Sequence, residues 1–78
     1  MPAALVLINT ETGSMGSVLK KLENIDGIEE AYSVYGVYDI VAKIEAETME
    51  KLKDLVTYRI RRLDNVRTTL TMIIIKKV

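Results

Sequence analysis

Two spacings of apolar residues alternate along the chain. Residues 3–10, AALVLINT, form an apolar, partly β-branched run of strand length. Met15, Val18, Leu19, Leu22 and Ile25 then recur at the three-, four- and seven-residue intervals of one helical stripe. The segment between them, 11-ETGSMGS-17, reads as a loop that enters this helix at an N-cap on Ser14, and Asn24 with 26-DG-27 stops it. A second strand is predicted over 28–35, with Ile28, Tyr32 and Val34 on one face and Ala31, Ser33 and Tyr35 on the other. Gly36 and its neighbours form a tight connection, with a positive φ expected at Gly36, to a third strand over 39–45. Thr48 is placed to cap a second helix. Its stripe is Met49, Leu52, Val56 and Leu63, widened by Leu55 and Ile60. Glu47 and Glu50 stand at its start and Arg59, Arg61 and Arg62 at its end, the polarity that the helix dipole favours. Residues 66–78, VRTTLTMIIIKKV, close the chain as a long strand.

The order βαββαβ predicts an α+β, ferredoxin-like fold: a four-stranded antiparallel sheet with both helices on one face. At 78 residues the chain is one domain, 1–78. Two helices cover one face of such a sheet, so the strands of a monomer should alternate apolar with polar. They do not. The first strand offers Leu5 and Leu7 on one side and Ala4, Val6 and Ile8 on the other. The last offers Leu70, Met72 and Ile74 against Ile73 and Ile75, and the third sets Val41 opposite Ile40, Ala42 and Ile44. A second apolar sheet face left in water would exceed the few hundred Å² that soluble monomers tolerate. A second copy packed sheet to sheet, a homodimer resembling a dimeric α/β barrel, is the simplest cover.

Composition narrows the function. Eleven basic residues balance eleven acidic ones, so no overall field draws in a polyanion. The longest apolar runs are too short to span a bilayer, and the start, MPAAL, has no basic segment of a signal peptide. A cytoplasmic protein without a membrane partner is expected. Histidine and cysteine are absent, which removes the commonest general base and the thiol nucleophile. Glu29 and Glu30 are consecutive in a strand and point apart, so they form neither a catalytic nor a metal pair. The 12-TGSMGS-17 segment lacks the spacing of a phosphate loop and reads as a loop and cap. No catalytic residue, cofactor or metal is expected. The cluster 59-RIRR-62 with Arg67 could meet phosphates, but arginines at a helix C-terminus serve the dipole and solubility, and the first strand lacks the aromatics of an RNA-binding sheet.

What remains is 32-YSVYGVYDI-40 and 68-TTLT-71. The turn sets backbone N–H and C=O groups beside the Asp39 carboxylate and a tyrosine hydroxyl, groups able to hold the ammonium and carboxylate of an amino acid. As plain structure the same residues are sheet-forming tyrosines and a turn aspartate. Thr69 and Thr71 put two hydroxyls on one face of the last strand.

Three stretches carry a resemblance: 25-IDGIEEAYSVYG-36, the turn 36-GVYDI-40, and 65-NVRTTLTMIII-75. In this order within βαββαβ, the chain resembles the C-terminal effector-binding (RAM) domain of the Lrp/AsnC family of prokaryotic transcription regulators. The resemblance implies sheet-packed dimers assembled into octameric or decameric rings. It also implies small effectors, usually amino acids, bound between dimers near the hairpin turn. By motif, Gly36, Tyr38 and Asp39 would contribute from the turn and Thr69 and Thr71 from the last strand, while Tyr32 and Tyr35 are left to packing. Family regulators carry an N-terminal helix-turn-helix domain, and this chain starts directly at its first strand. It therefore resembles a stand-alone effector domain, with no direct DNA binding expected and full-length paralogues as further partners.

The reading that follows is a homo-oligomeric amino-acid-binding module that modulates transcription indirectly or senses metabolites. An ACT-like domain regulating an enzyme and a small dimeric α/β-barrel enzyme are the rivals, and a scaffold with a vestigial pocket is a third alternative. Light scattering at micromolar concentration is expected to give an oligomer. A solution holding only the 8.8 kDa monomer would rule out the sheet-to-sheet association.

Overall fold

The computed structural model describes all 78 residues. Strand β1 (Ala3–Thr10) leads to helix α1 (Met15–Glu23), β2 (Ile28–Ser33) and β3 (Ile40–Glu45). Helix α2 (Met49–Asp54) runs on into a π-helical turn, Leu55–Ile60, and β4 (Val66–Ile73) follows. The sheet is antiparallel in the order β2-β3-β1-β4, the ferredoxin-like arrangement predicted from the element order. No helix is long and apolar enough to cross a membrane.

The core is built on alternate residues of the two central strands. Ala4, Val6 and Ile8 of β1 and Ile40, Ala42 and Ile44 of β3 are wholly buried. Val18 and Leu22 of α1 lie in the same apolar cluster as Leu52, Leu55, Val56 and Ile60, so both helical segments cover one face of the sheet. Thr48 caps α2 as predicted: its hydroxyl accepts the Lys51 N–H at 3.1 Å. Ser14 precedes α1 without a side-chain capping bond.

Four local expectations give way to the tertiary structure. In β2, Ile28 pairs with Ile44 but Glu30 pairs with Lys43, so two residues of β2 advance against one of β3. This bulge turns Ile28 to the helix side with Ala31, away from Tyr32, and both pack on the core. The strand also stops at Ser33 instead of residue 35. The second helix does not keep the α period. Leu55 and Ile60 are five residues apart, about 140° around an α-helix, yet both are buried. A turn closed by bonds from residue i to i+5, with the Arg61 N–H donating to the Val56 carbonyl at 2.9 Å, keeps them on one side. Strand β4 ends at Ile73. The Ile74 N–H still reaches the Ala3 carbonyl at 2.9 Å, and 75–78 leave the sheet.

A further correction concerns glycine. Gly36 does not take a positive φ, and a Cβ on it would meet nothing within 4 Å. The demanding glycine is Gly27, at φ +98° between α1 and β2. A Cβ there would lie 2.8 Å from Leu55 Cδ2 and 3.1 Å from the Glu45 carbonyl oxygen. That oxygen's own residue is tied to the turn, since the Glu45 N–H donates to the Gly27 carbonyl at 2.9 Å. Gly27→Ala combines left-handed strain with a steric clash and should lower the unfolding free energy by about 2 kcal/mol. Gly16→Ala, in open space in the first turn of α1, should cost nothing or gain up to about 1 kcal/mol. Urea unfolding of the two variants checks the contrast.

Candidate functional site

The hairpin between β2 and β3 is closed by the Val34 N–H, which donates to the Asp39 carbonyl at 2.9 Å, leaving 35–38 as its loop. Tyr35 is fully exposed and Val37 is 85% exposed, whereas Tyr38 is half-buried. Tyr35, expected to pack, touches nothing that shields it within the protomer. Tyr32 lies on the outer sheet face opposite Val41, 54% exposed, and its hydroxyl donates to Glu30 Oε1 at 2.9 Å. That hydrogen bond and the charge of the Glu30 carboxylate raise the phenol above its ordinary value of 10.0.

Asp39 is held at three points. Its N–H donates to the Ile8 carbonyl at 3.0 Å and its own carbonyl closes the hairpin. Its Oδ2 accepts the Thr10 N–H at 2.9 Å and the Thr10 hydroxyl at 3.2 Å. Thr10 is the one polar residue among the buried ones, so this carboxylate satisfies the end of β1 and ties the hairpin to it. Oδ1 accepts no hydrogen bond within the protomer. Asp39 thus has a structural duty that its sequence position next to a turn did not reveal.

Thr69 and Thr71 stand opposite Ile8 and Val6, on the helix-facing side of β4. Val6 and Ile8 are wholly buried, but Thr69 is only half-buried and Thr71 and Ile73 are exposed. The helical layer therefore ends over β1 and leaves the inner side of β4 open. Three depressions follow this open side. The first, about 670 Å³, lies between Asp39, Val37, the loop before α1 and Arg67. The second, 320 Å³, is lined by Arg67, Thr69 and Arg61, and the third, 360 Å³, by Arg61, Thr71 and Val56. Arg67 borders the first and second, and Arg61 the second and third.

Of the five residues predicted for the site, Asp39, Thr69 and Thr71 line successive depressions, while Gly36 and Tyr38 line none. One protomer does not bring the turn and the threonines into a single cavity. Of the two arginines that join the depressions, Arg61 was assigned from sequence to dipole and solubility roles, and Arg67 was noted only as part of a cluster able to meet phosphates. Only their position across the turn before β4, where Asn65 takes a positive φ of 72°, sets them side by side.

The model of the family described as the Lrp/AsnC ligand binding domain matches residues 3–78. The protein FFRP-DM1 has a crystal structure similar to this chain at a TM-score of 0.93 and 37% identity, over 96% of this chain and 100% of that one. AsnC of E. coli is similar at a TM-score of 0.91 and 26% identity over 97% of this chain, which spans 52% of AsnC. A transcriptional regulator of Neisseria meningitidis, NMB0573, solved as a complex with L-Met, has the same fold at a TM-score of 0.88, with 9% identity over 99% of this chain and 51% of that one. No curated protein matches the sequence.

The Asp39 clamp can be tested apart from any ligand. Asp39→Ala leaves the buried Thr10 N–H without its acceptor and should cost about 2 kcal/mol of stability in urea unfolding. Asp39→Asn keeps an oxygen for Thr10 and should cost less than half as much.

Proposed function

The chain belongs to the family of Lrp/AsnC ligand-binding domains, and from that premise we propose that it is a homo-oligomeric module that binds an amino-acid effector and regulates transcription indirectly. The family match over 3–78 carries this reading. Effector binding in a regulatory setting is the family's property, and the L-Met complex of the Neisseria regulator supports an amino acid as the effector.

The surfaces that such an assembly needs are exposed in the protomer. Leu5, Leu7, Val41, Leu70 and Met72 share the sheet face that the helices do not cover, with Leu70 and Met72 46% and 43% exposed. A second copy packed on that face would bury them. The hairpin tip projects Tyr35 and Val37 beyond the protomer, where they would meet another dimer in a ring of eight or ten subunits. In that arrangement Gly36, Tyr38 and Asp39 of one subunit would close on Thr69 and Thr71 of another. The amino acid's ammonium would sit at the free oxygen of Asp39 and its carboxylate at turn amides and threonine hydroxyls. Gly36, which its own backbone does not require, would admit a neighbour or ligand close to the chain. Full-length relatives sharing the sheet face would carry the signal to DNA, and no catalytic step is involved.

A thermal-shift panel of the twenty amino acids tests this. A ligand at a hundred times its Kd adds about 2.7 kcal/mol to the native state and raises Tm. At least one amino acid should raise it, and Asp39→Asn, which stays folded, should abolish that rise. Silence across the whole panel would overturn effector binding of this class.

A further inference from the structure

The two depressions beside β4 have a chemistry that an amino acid does not explain. Arg61, Arg67, Lys53, Thr69 and Thr71 supply three cations and two hydroxyls, and no carboxylate lines either depression. Arg61 and Lys53 have no ion-pair partner, and Arg67 makes only a long contact of 3.9 Å to the exposed Glu11. The depression between the two arginines is polar, whereas the next is floored by Leu52, Val56 and Ile73. Val56 belongs to the core cluster and Ile73 is 38% exposed, an apolar wall left uncovered because the helical layer stops at β1.

A ligand matching both parts has an anionic head, which guanidinium groups engage through paired N–H donors, and a short apolar chain. It lacks an ammonium, because an ammonium here would face three cations with no acceptor carboxylate, at a cost in Coulomb repulsion and desolvation. We propose that this trough binds an aliphatic carboxylate without an amino group, the head between Arg61 and Arg67 beside the Thr69 hydroxyl and the chain over Val56 and Ile73. The two depressions leave room for a carboxylate head and a short aliphatic chain. This site shares its threonines with the amino-acid reading but does not rest on it. The amino-acid reading needs Asp39 of the turn, and this one needs Arg61.

The two are separated by titrating α-ketoisocaproate and leucine, which differ only at the amino-bearing carbon, into the oligomer by calorimetry and amide NMR. Binding of α-ketoisocaproate should shift the Thr69, Thr71 and Ile73 amides. Arg61→Gln should weaken it roughly tenfold to a hundredfold, the range for a lost charge-assisted hydrogen bond. Thr71→Val should weaken it less, and Asp39→Asn should leave it unchanged. Arg61→Gln keeps the backbone N–H that closes the π-helical turn, so the variant folds, which circular dichroism verifies. Acetate, which has the head but no chain, should bind at least tenfold more weakly. The proposal fails if α-ketoisocaproate does not bind at millimolar concentration, or if its binding is undiminished in Arg61→Gln. It also fails if leucine shifts the same amides as strongly through Arg61. Failure of the amino-acid reading shows instead as a silent thermal-shift panel, whatever α-ketoisocaproate does.

Discussion

Everything in this molecule depends on how far two helical segments can reach across a four-stranded sheet. Their shared cluster with Ala4, Val6, Ile8, Ile40 and Ile44 seals one face of the two central strands completely. Burial there supplies the main stabilising term for so small a chain, whose margin is thin because a domain of this size buries only about 60% of its unfolded surface. The devices around the core serve that contact. The bulge in β2 swings Ile28 onto it, the π-helical turn keeps Leu55 and Ile60 on the same side, and Gly27 lets Leu55 approach the backbone between α1 and β2.

The same reach leaves two surfaces unfinished. The outer sheet face, with its leucines, Val41 and Met72, has no helix to cover it, and the inner side of β4 lies beyond the edge of the helical layer. The first is apolar and suits a second copy of the chain. The second is lined by cations and hydroxyls and suits a small anion. One limit of coverage thus leaves open both the apolar outer face and the cationic trough on the opposite side of β4.

Asp39 carries structural contacts that the proposed ligand role would have to share. Its N–H, its carbonyl and one carboxylate oxygen are committed to the Ile8, Val34 and Thr10 contacts that fasten the hairpin to β1. Only the remaining oxygen is free for a ligand. Loss of effector response in Asp39→Ala would therefore mix a binding effect with a stability effect, and Asp39→Asn is the cleaner probe.

The element order, the ferredoxin-like sheet, the Thr48 cap and the apolar character of both sheet faces were legible from residue spacing alone, because period and capping chemistry are local. The turn at Gly36–Asp39 and the threonines of the last strand were legible only as motifs. The bulge at β2, the π-helical turn and the early end of β4 were not, since each depends on which residue of another element stands opposite. The arginines were visible as charges but not as neighbours: six positions separate Arg61 from Arg67, and only the turn through Asn65 sets them on either side of one depression. The sequence by itself determined what each segment buries. The tertiary structure decided where coverage stops, because that limit is set by the width of the sheet against the reach of the helices, a distance no local pattern encodes.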